Sequence, residues 1–358
     1  MRNLAPSVGL MVLTVLAASR AIAARDDLTR IETAIDGPMS KRQFMGAVLI
    51  ARNGQIRLNK GYGHANLEWR IPNSPDARFR LASMTKQFTA ACILLLQERG
   101  QLKIEDPISK YLPDMPPSWK PITVFNLLTH TSGIHELTAL PDFDASEPFA
   151  TTPEKLVARF RAQPLDFIPG TDFRYSNSGY ILLGYLIEKV TGKTYRQFVQ
   201  TNLFDRLNMK DSGYDSTHEI ISRHAEGYVL KPDGLQIADY IDMTVPFAAG
   251  GLYSTTGDLL RWHEGLFGGK LLSAASLARM QLPFKRDYAF GLAVDLDEGG
   301  SKVIWHCGAV EGFGSCAAYV PSEKLSVIIL SNIEGPAARA LMLEILKIEK
   351  HEPLMWKP

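Results

Sequence analysis

Asn53-Gly54, between the strand-like runs Ala47–Arg52 and Gln55–Lys60, is the strongest short hairpin signal a sequence offers. Four more strand-like runs stand near the opposite end of the chain: Phe290–Leu296, Lys302–Gly308, Gly314–Val320 and Leu325–Ser331, joined by tight turns. Strands near both termini constrain the fold more than any other feature, because unpaired edges must be satisfied. If the two groups meet, the two N-terminal strands and three or more of the C-terminal ones form one antiparallel sheet of about five strands, with helical material inserted between them. Terminal helices can cover a face of that sheet. One is predicted after Asp26 or Asp27, with Leu28, Ile31 and Ile35 along one side, and one runs from Pro336 through Ile348. The expected fold class is α+β: a sheet flanked by helices, with a mostly helical inserted domain.

Between these ends, a helix starts at Ser83, carries Phe88, Cys92, Leu95 and Leu96 at helical spacing, and stops at Gly100. From about residue 100 to 245 short helical pieces alternate with proline-rich loops such as Pro113-Asp-Met-Pro-Pro117. Gly179–Val190 reads as a helix closed by Gly192. Thr255-Thr-Gly-Asp258 reads as a capping box opening a further helix with Leu259 and Trp262. The expected organisation is a sheet subdomain over about 24–82 and 250–350, with a helical subdomain over about 83–249.

The N-terminus indicates a compartment. Arg2, the apolar run Val8–Ala18 and Ala21-Ile22-Ala23 make an n-region, an h-region and a small-residue cleavage site, so residues 1–23 read as a secretory signal peptide. The run is shorter than the roughly 20 residues that span a bilayer. The expectation is an exported protein, periplasmic or secreted, with no stable membrane span after cleavage. Thirty-nine Lys+Arg against 38 Asp+Glu leave a formal charge of +1, so nothing in the balance points to nucleic acid. Three cysteines are too few for a disulfide scaffold; Cys307 and Cys316 lie on neighbouring predicted strands and pair only if the register brings them opposite.

Three short motifs carry chemistry. In Ser83-Met-Thr-Lys86, positions i and i+3 of a helix share a face, so Lys86 can reach the Ser83 hydroxyl. Serine needs a base to act as nucleophile, and a neutral lysine is one. Alone the tetrapeptide is weak, since about one is expected by chance in a chain of this composition. The plainer reading is an N-cap serine and a solvated lysine, but a lysine in the first turn faces the positive end of the helix dipole. Tyr175-Ser176-Asn177 lies in a polar turn just before a helix, where Tyr175 can move protons and Asn177 can donate to substrate. His306-Cys307-Gly308, followed by Ala309, lies on a predicted strand, where glycine often marks close approach by a ligand. His130 and His135 are read as structural, since no H-E-x-x-H or carboxylate pattern joins them. No G-x-S-x-G is present, which removes the α/β-hydrolase reading.

Taken in order, the three motifs resemble those of the serine β-lactamase and DD-peptidase superfamily, in particular the class C β-lactamase-like serine hydrolases. The resemblance runs from about residue 27 to 348 and includes Leu127-Leu-Thr-His-Thr-Ser-Gly-Ile134 and Gly250-Gly-Leu-Tyr-Ser-Thr-Thr-Gly-Asp258. It implies Ser83 as acyl-accepting nucleophile, with Lys86 and Tyr175 as acid–base machinery. Asn177, His306, Gly308 and Ala309 would line the substrate site, and the backbone N–H groups of Ser83 and Ala309 would form the oxyanion hole. No cofactor and no metal are implied. The implied substrates are small esters, D-amino-acid peptides or peptidoglycan-type amides, with a true β-lactamase or an acylated penicillin sensor as alternatives.

Two departures from the family pattern matter. His306 stands where true β-lactamases have lysine, and Cys307 stands where they have threonine or serine. A fixed cation is thus replaced by a group that is mostly neutral above pH ~6.5. On this reading the preference for a carboxylate-bearing cephalosporin over a neutral ester rises as pH falls from 7.5 toward 6. The proton arithmetic leaves two mechanisms open. An ordinary lysine is neutral in about one molecule in 2,500 at pH 7, and the helix dipole lowers its pKa by less than one unit, so burial must supply most of any useful shift. Alternatively, Lys86 stays charged and stabilises a Tyr175 phenolate.

Overall fold

The computed structural model describes residues 26–297 and 299–351; the segment read as a signal peptide lies outside them. In chain order, the elements that position the site are α1 (26–40), β1 (Gly46–Arg52), β2 (Gln55–Tyr62), α2 (Thr85–Glu98), α3 (Asn177–Thr191), α4 (Thr256–Leu266), β3 (Ala293–Leu296), β4 (Lys302–Val310), β5 (Phe313–Val320), β6 (Leu325–Ser331) and α5 (Ala337–Lys350).

The two ends do meet. Six strands form one sheet in the order β3-β4-β5-β6-β1-β2. β1 pairs antiparallel with β6, from Gly46 opposite Ser331 to Arg52 opposite Leu325. That makes six strands where about five were expected. The predicted strand Phe290–Leu296 is shortened to β3, because Gly291 turns the backbone through φ +68° ahead of it.

Alternation along the central strands explains the layering. On β1, Val48 and Ile50 face a core shared with Ile31, Ile35, Leu341, Met342 and Ile345 of the two terminal helices. Ala47, Leu49 and Ala51 face the opposite core, with Phe88, Leu95, Leu182 and Trp262 of the intervening helices. β6 splits in the same way, Val327 and Ile329 to one side and Ile328 and Leu330 to the other. A sheet buried on both faces needs nearly continuous apolar strands, which these are.

The helices between the two strand groups carry the expected punctuation. α3 starts at Ser176, whose hydroxyl accepts from the Gly179 N–H at 3.2 Å, and ends at Gly192 with φ +67°. At α4, Thr255 caps by accepting from the Asp258 N–H at 3.2 Å. The Asp258 carboxylate turns instead to the Asp211 N–H and the Ser212 hydroxyl, both at 2.8 Å. No helix among the described residues is long and apolar enough to cross a membrane.

Candidate active site

Ser83 stands on a single 3-10 turn, Ala82–Met84, that leads directly into α2. Ala82 just before it has φ +48°, the left-handed region that a residue with a Cβ adopts only at a cost of about 1–3 kcal/mol. The turn is held from the sheet side, where Ser315 on β5 donates its hydroxyl to the Leu81 carbonyl at 2.6 Å. It is held from the other side by the Leu81 N–H, which donates to the Leu252 carbonyl at 2.8 Å. Strain fixed from two directions keeps the Ser83 hydroxyl at the surface of a cleft.

The i, i+3 geometry holds: the Lys86 Nζ lies 3.0 Å from the Ser83 Oγ. Lys86 is fully buried, and its amine also donates to the Asn177 Oδ1 at 2.8 Å and the Ala249 carbonyl at 2.9 Å. Burial lowers its pKa to about 7, opposed in part by the Glu136 carboxylate. Near neutral pH the uncharged amine is therefore an accessible form. Two N–H groups then satisfy Asn177 and Ala249, which leaves the lone pair for Ser83.

Tyr175 is 37 % exposed as a residue, with its hydroxyl end turned into the cleft beside Ser83. The Lys86 Nζ sits 4.8 Å from its ring centroid. Removal of the phenol from water pushes its pKa well above 10, against a smaller opposite pull from the Ser83 hydroxyl. A lowered lysine beside a raised tyrosine favours a neutral amine and an intact phenol over an ammonium–phenolate pair.

Two residues that sequence reasoning left out of the site organise it. Glu136 caps the start of α3, accepting from the Asn177 N–H at 2.7 Å and from the Asn177 Nδ2 at 2.8 Å. A carboxylate at a helix N-terminus is a stable arrangement. It fixes the Asn177 amide with Oδ1 toward Lys86, so one Nδ2 hydrogen remains for a substrate. His130, with φ +56°, accepts from the Ser176 N–H through Nδ1 at 3.0 Å. Its ring lies 4.4 Å from that of Tyr175 and 4.6 Å from that of Tyr288. His135 pairs instead with Asp166 at 2.8 Å. The only earlier signal for Glu136 was a carboxylate soon after Thr-His-Thr-Ser-Gly, with nothing to show which helix it caps.

β4 forms the opposite wall. His306 is buried, with Nδ1 donating to the Cys307 carbonyl at 2.7 Å, so Nε2 is left to accept from the Tyr288 hydroxyl at 3.0 Å. Burial, with Lys86 nearby, lowers its pKa to about 3. The expectation that His306 gains a proton near pH 6 is therefore corrected: burial, with the Lys86 amine nearby, disfavours the imidazolium, and the ring stays neutral. The ratio of cephalosporin to neutral-ester turnover is expected to show no His306-dependent rise between pH 7.5 and 6. Comparing that ratio in wild type and His306→Gln checks this; a rise present only in wild type would restore the charge-reading role. Cys307 and Cys316 face each other across β4 and β5 and are joined as a disulfide, with Cα atoms 4.1 Å apart. Ala309 lines the cleft with Ser83.

The Beta-lactamase family model matches residues 31–351. The chain belongs to the β-lactamase family. This is a family of serine hydrolases, and the fold here is the β-lactamase and penicillin-binding-protein fold. A chain of Bacillus subtilis (strain 168) named for penicillin binding, PbpX, is 33 % identical over 295 residues, covering 82 % of this chain and 72 % of its own. The crystal structure of a penicillin binding protein from Bacillus halodurans is 26 % identical with a TM-score of 0.78, covering 90 % of this chain and 98 % of that one. D-amino acid amidase from Ochrobactrum anthropi SV3 is 25 % identical with a TM-score of 0.75, covering 90 % and 99 %.

Proposed function

We propose that this member of the β-lactamase family is an exported hydrolase that cleaves amide or ester bonds of D-amino-acid compounds through an acyl-enzyme on Ser83. The observation that carries this reading is the buried Lys86 amine, 3.0 Å from the Ser83 hydroxyl with its other partners already fixed. Neutral Lys86 takes the Ser83 proton as Oγ attacks the substrate carbonyl. The backbone N–H groups of Ser83 and Ala309 receive the oxyanion. Tyr175, still a phenol, passes its proton to the departing amine or alkoxide and regains one from Lys86. Water then attacks the acyl-enzyme with the same groups acting in reverse.

The likeness to D-amino acid amidase supports the substrate class, and the N-terminal 1–23 segment supports export. The likeness to penicillin-binding proteins favours a second reading, in which a β-lactam acylates Ser83 and leaves slowly. The neutral His306 itself offers a substrate carboxylate no charge, unlike the lysine of true β-lactamases, which speaks against efficient β-lactam turnover through this position.

Treatment with a fluorophosphonate probe is expected to add one label at Ser83, located by peptide mass spectrometry, and Ser83→Ala should take up none. A label on any other serine overturns the assignment. Ammonia release from D-alaninamide in the wild type, with a chromogenic cephalosporin opened no more than once per molecule, is the pattern expected of the amidase. Multiple turnovers of the cephalosporin without ammonia release would make the protein a β-lactamase instead.

A further inference from the structure

The cleft that opens on Ser83 has two parts of different chemistry. The larger, about 730 Å³, is lined by Tyr175 and His306 together with Arg286 and Arg339. The smaller, about 150 Å³, has an apolar wall that includes Ile241, and the carboxyl side chains of Glu147 and Glu311 line it as well. Ser83 and Ala309 belong to both. The departing group must receive a proton, and Tyr175 borders the larger part and not the smaller. The leaving group therefore lies in the larger part, and the acyl group that stays on Ser83 lies in the smaller one. A ligand enters the smaller part because the reacting serine is on its wall; the side chains there decide only its charge.

That charge is set by the carboxylates. The charges acting on Glu147 come from Glu311, Asp144 and Asp239, all negative, and together with burial they raise its pKa to about 7. Burial raises the pKa of Glu311, as do Glu334 and Asp239, while its own backbone N–H and Arg80 pull the other way. Arg80 is already bound to Asp215 at 2.8 Å. One carboxyl oxygen of Glu311, Oε2, is buried with no hydrogen-bond partner. Partly desolvated carboxylates that repel one another gain from a cation, and an ammonium supplies charge and N–H donors together.

Building on the Ser83 acyl-enzyme, we propose that the smaller part of the cleft selects acyl groups bearing an ammonium, received by Glu147 and Glu311. An amino acid with a free α-amine has this chemistry, and so does one with a basic side chain. Three p-nitroanilides separate the cases: D-alanyl (free α-amine), N-acetyl-D-lysyl (side-chain cation) and N-acetyl-D-alanyl (neutral). At least one cationic substrate is expected to exceed the neutral one by about tenfold or more in kcat/KM, and which one does identifies the source of the ammonium. That advantage should shrink toward unity in the double variant Glu147→Gln/Glu311→Gln, and partly in Glu311→Gln alone, a near-isosteric change. Equal rates on all three substrates, or an advantage that survives both variants, overturns the proposal. p-Nitrophenyl acetate, small and uncharged, reports on Ser83 separately. If wild type hydrolyses it, Ser83→Ala does not, and the neutral anilide still matches the cationic ones, only the charge assignment fails. If Ser83→Ala hydrolyses it as well as wild type does, the acyl-enzyme fails and takes the proposal with it.

Discussion

Lys86→Ala is expected to lower kcat on a p-nitrophenyl ester by ~10²–10⁴, the scale of a lost general base. The variant removes the only amine beside Ser83 among the described residues and opens a buried gap, so the thermal midpoint should be measured alongside. Lys86→Arg sharpens the test, because arginine keeps a positive charge but cannot take a proton near neutral pH. A base role predicts that Lys86→Arg is as damaging as Lys86→Ala. An arginine variant with near-normal activity would support a cation that stabilises a Tyr175 phenolate. The pH profile gives an independent reading. The competent form is the unprotonated amine, so kcat/KM should rise with pH through about 7 and then level off. A profile that climbs only toward pH 10 would mean that burial does not lower this lysine. Tyr175→Phe should lose at least ~10² in kcat while leaving that rise near pH 7 in place.

Gly308→Ala is expected to be nearly as severe for a steric reason. A Cβ at this position would lie 2.4 Å from the Leu81 carbonyl oxygen, 2.6 Å from the Ser83 nitrogen and 2.9 Å from the Ala82 Cβ. Two of these are backbone atoms of the strained turn that presents the nucleophile, and Ser315 already fixes that turn. Either β4 moves away or the turn does, and both displace one side of the oxyanion hole proposed at the Ser83 and Ala309 N–H groups. Losing one such donor costs about 10²–10³ in kcat. Overpacking of this kind also costs about 1–3 kcal/mol of stability. Steady-state kinetics and thermal unfolding together check the prediction; a Gly308→Ala protein with wild-type kcat would show that β4 does not contact the turn as closely as described.

Much of the fold was legible because its signals are local. Asn53-Gly54 specifies a turn through its own backbone preferences, and strand alternation and helix caps are likewise read within a few residues. The pairing of Ser83 with Lys86 belongs to the same class, since one helical turn places i and i+3 together whatever surrounds them. Less legible was the start of the first C-terminal strand, which depends on where Gly291 bends the chain. The Cys307–Cys316 bond was also undecided, because opposition of two residues is a property of register, and a slip of one residue would separate them.

The sequence by itself therefore determined that a serine and a lysine share a helix face and that strands from both ends have edges to satisfy. Only the tertiary structure decided what those residues are chemically. The Lys86 pKa falls to about 7 because α3 and the turn Phe247–Gly250, about 90 and 160 residues away in the chain, close over the amine and exclude water. His306 is held neutral because the fold buries its ring in the cleft wall with the Lys86 amine nearby. Glu136 enters the site because the chain folds it back onto the start of α3. Protonation state depends on desolvation and on charges brought close in space, and neither is a property of neighbouring letters in a sequence.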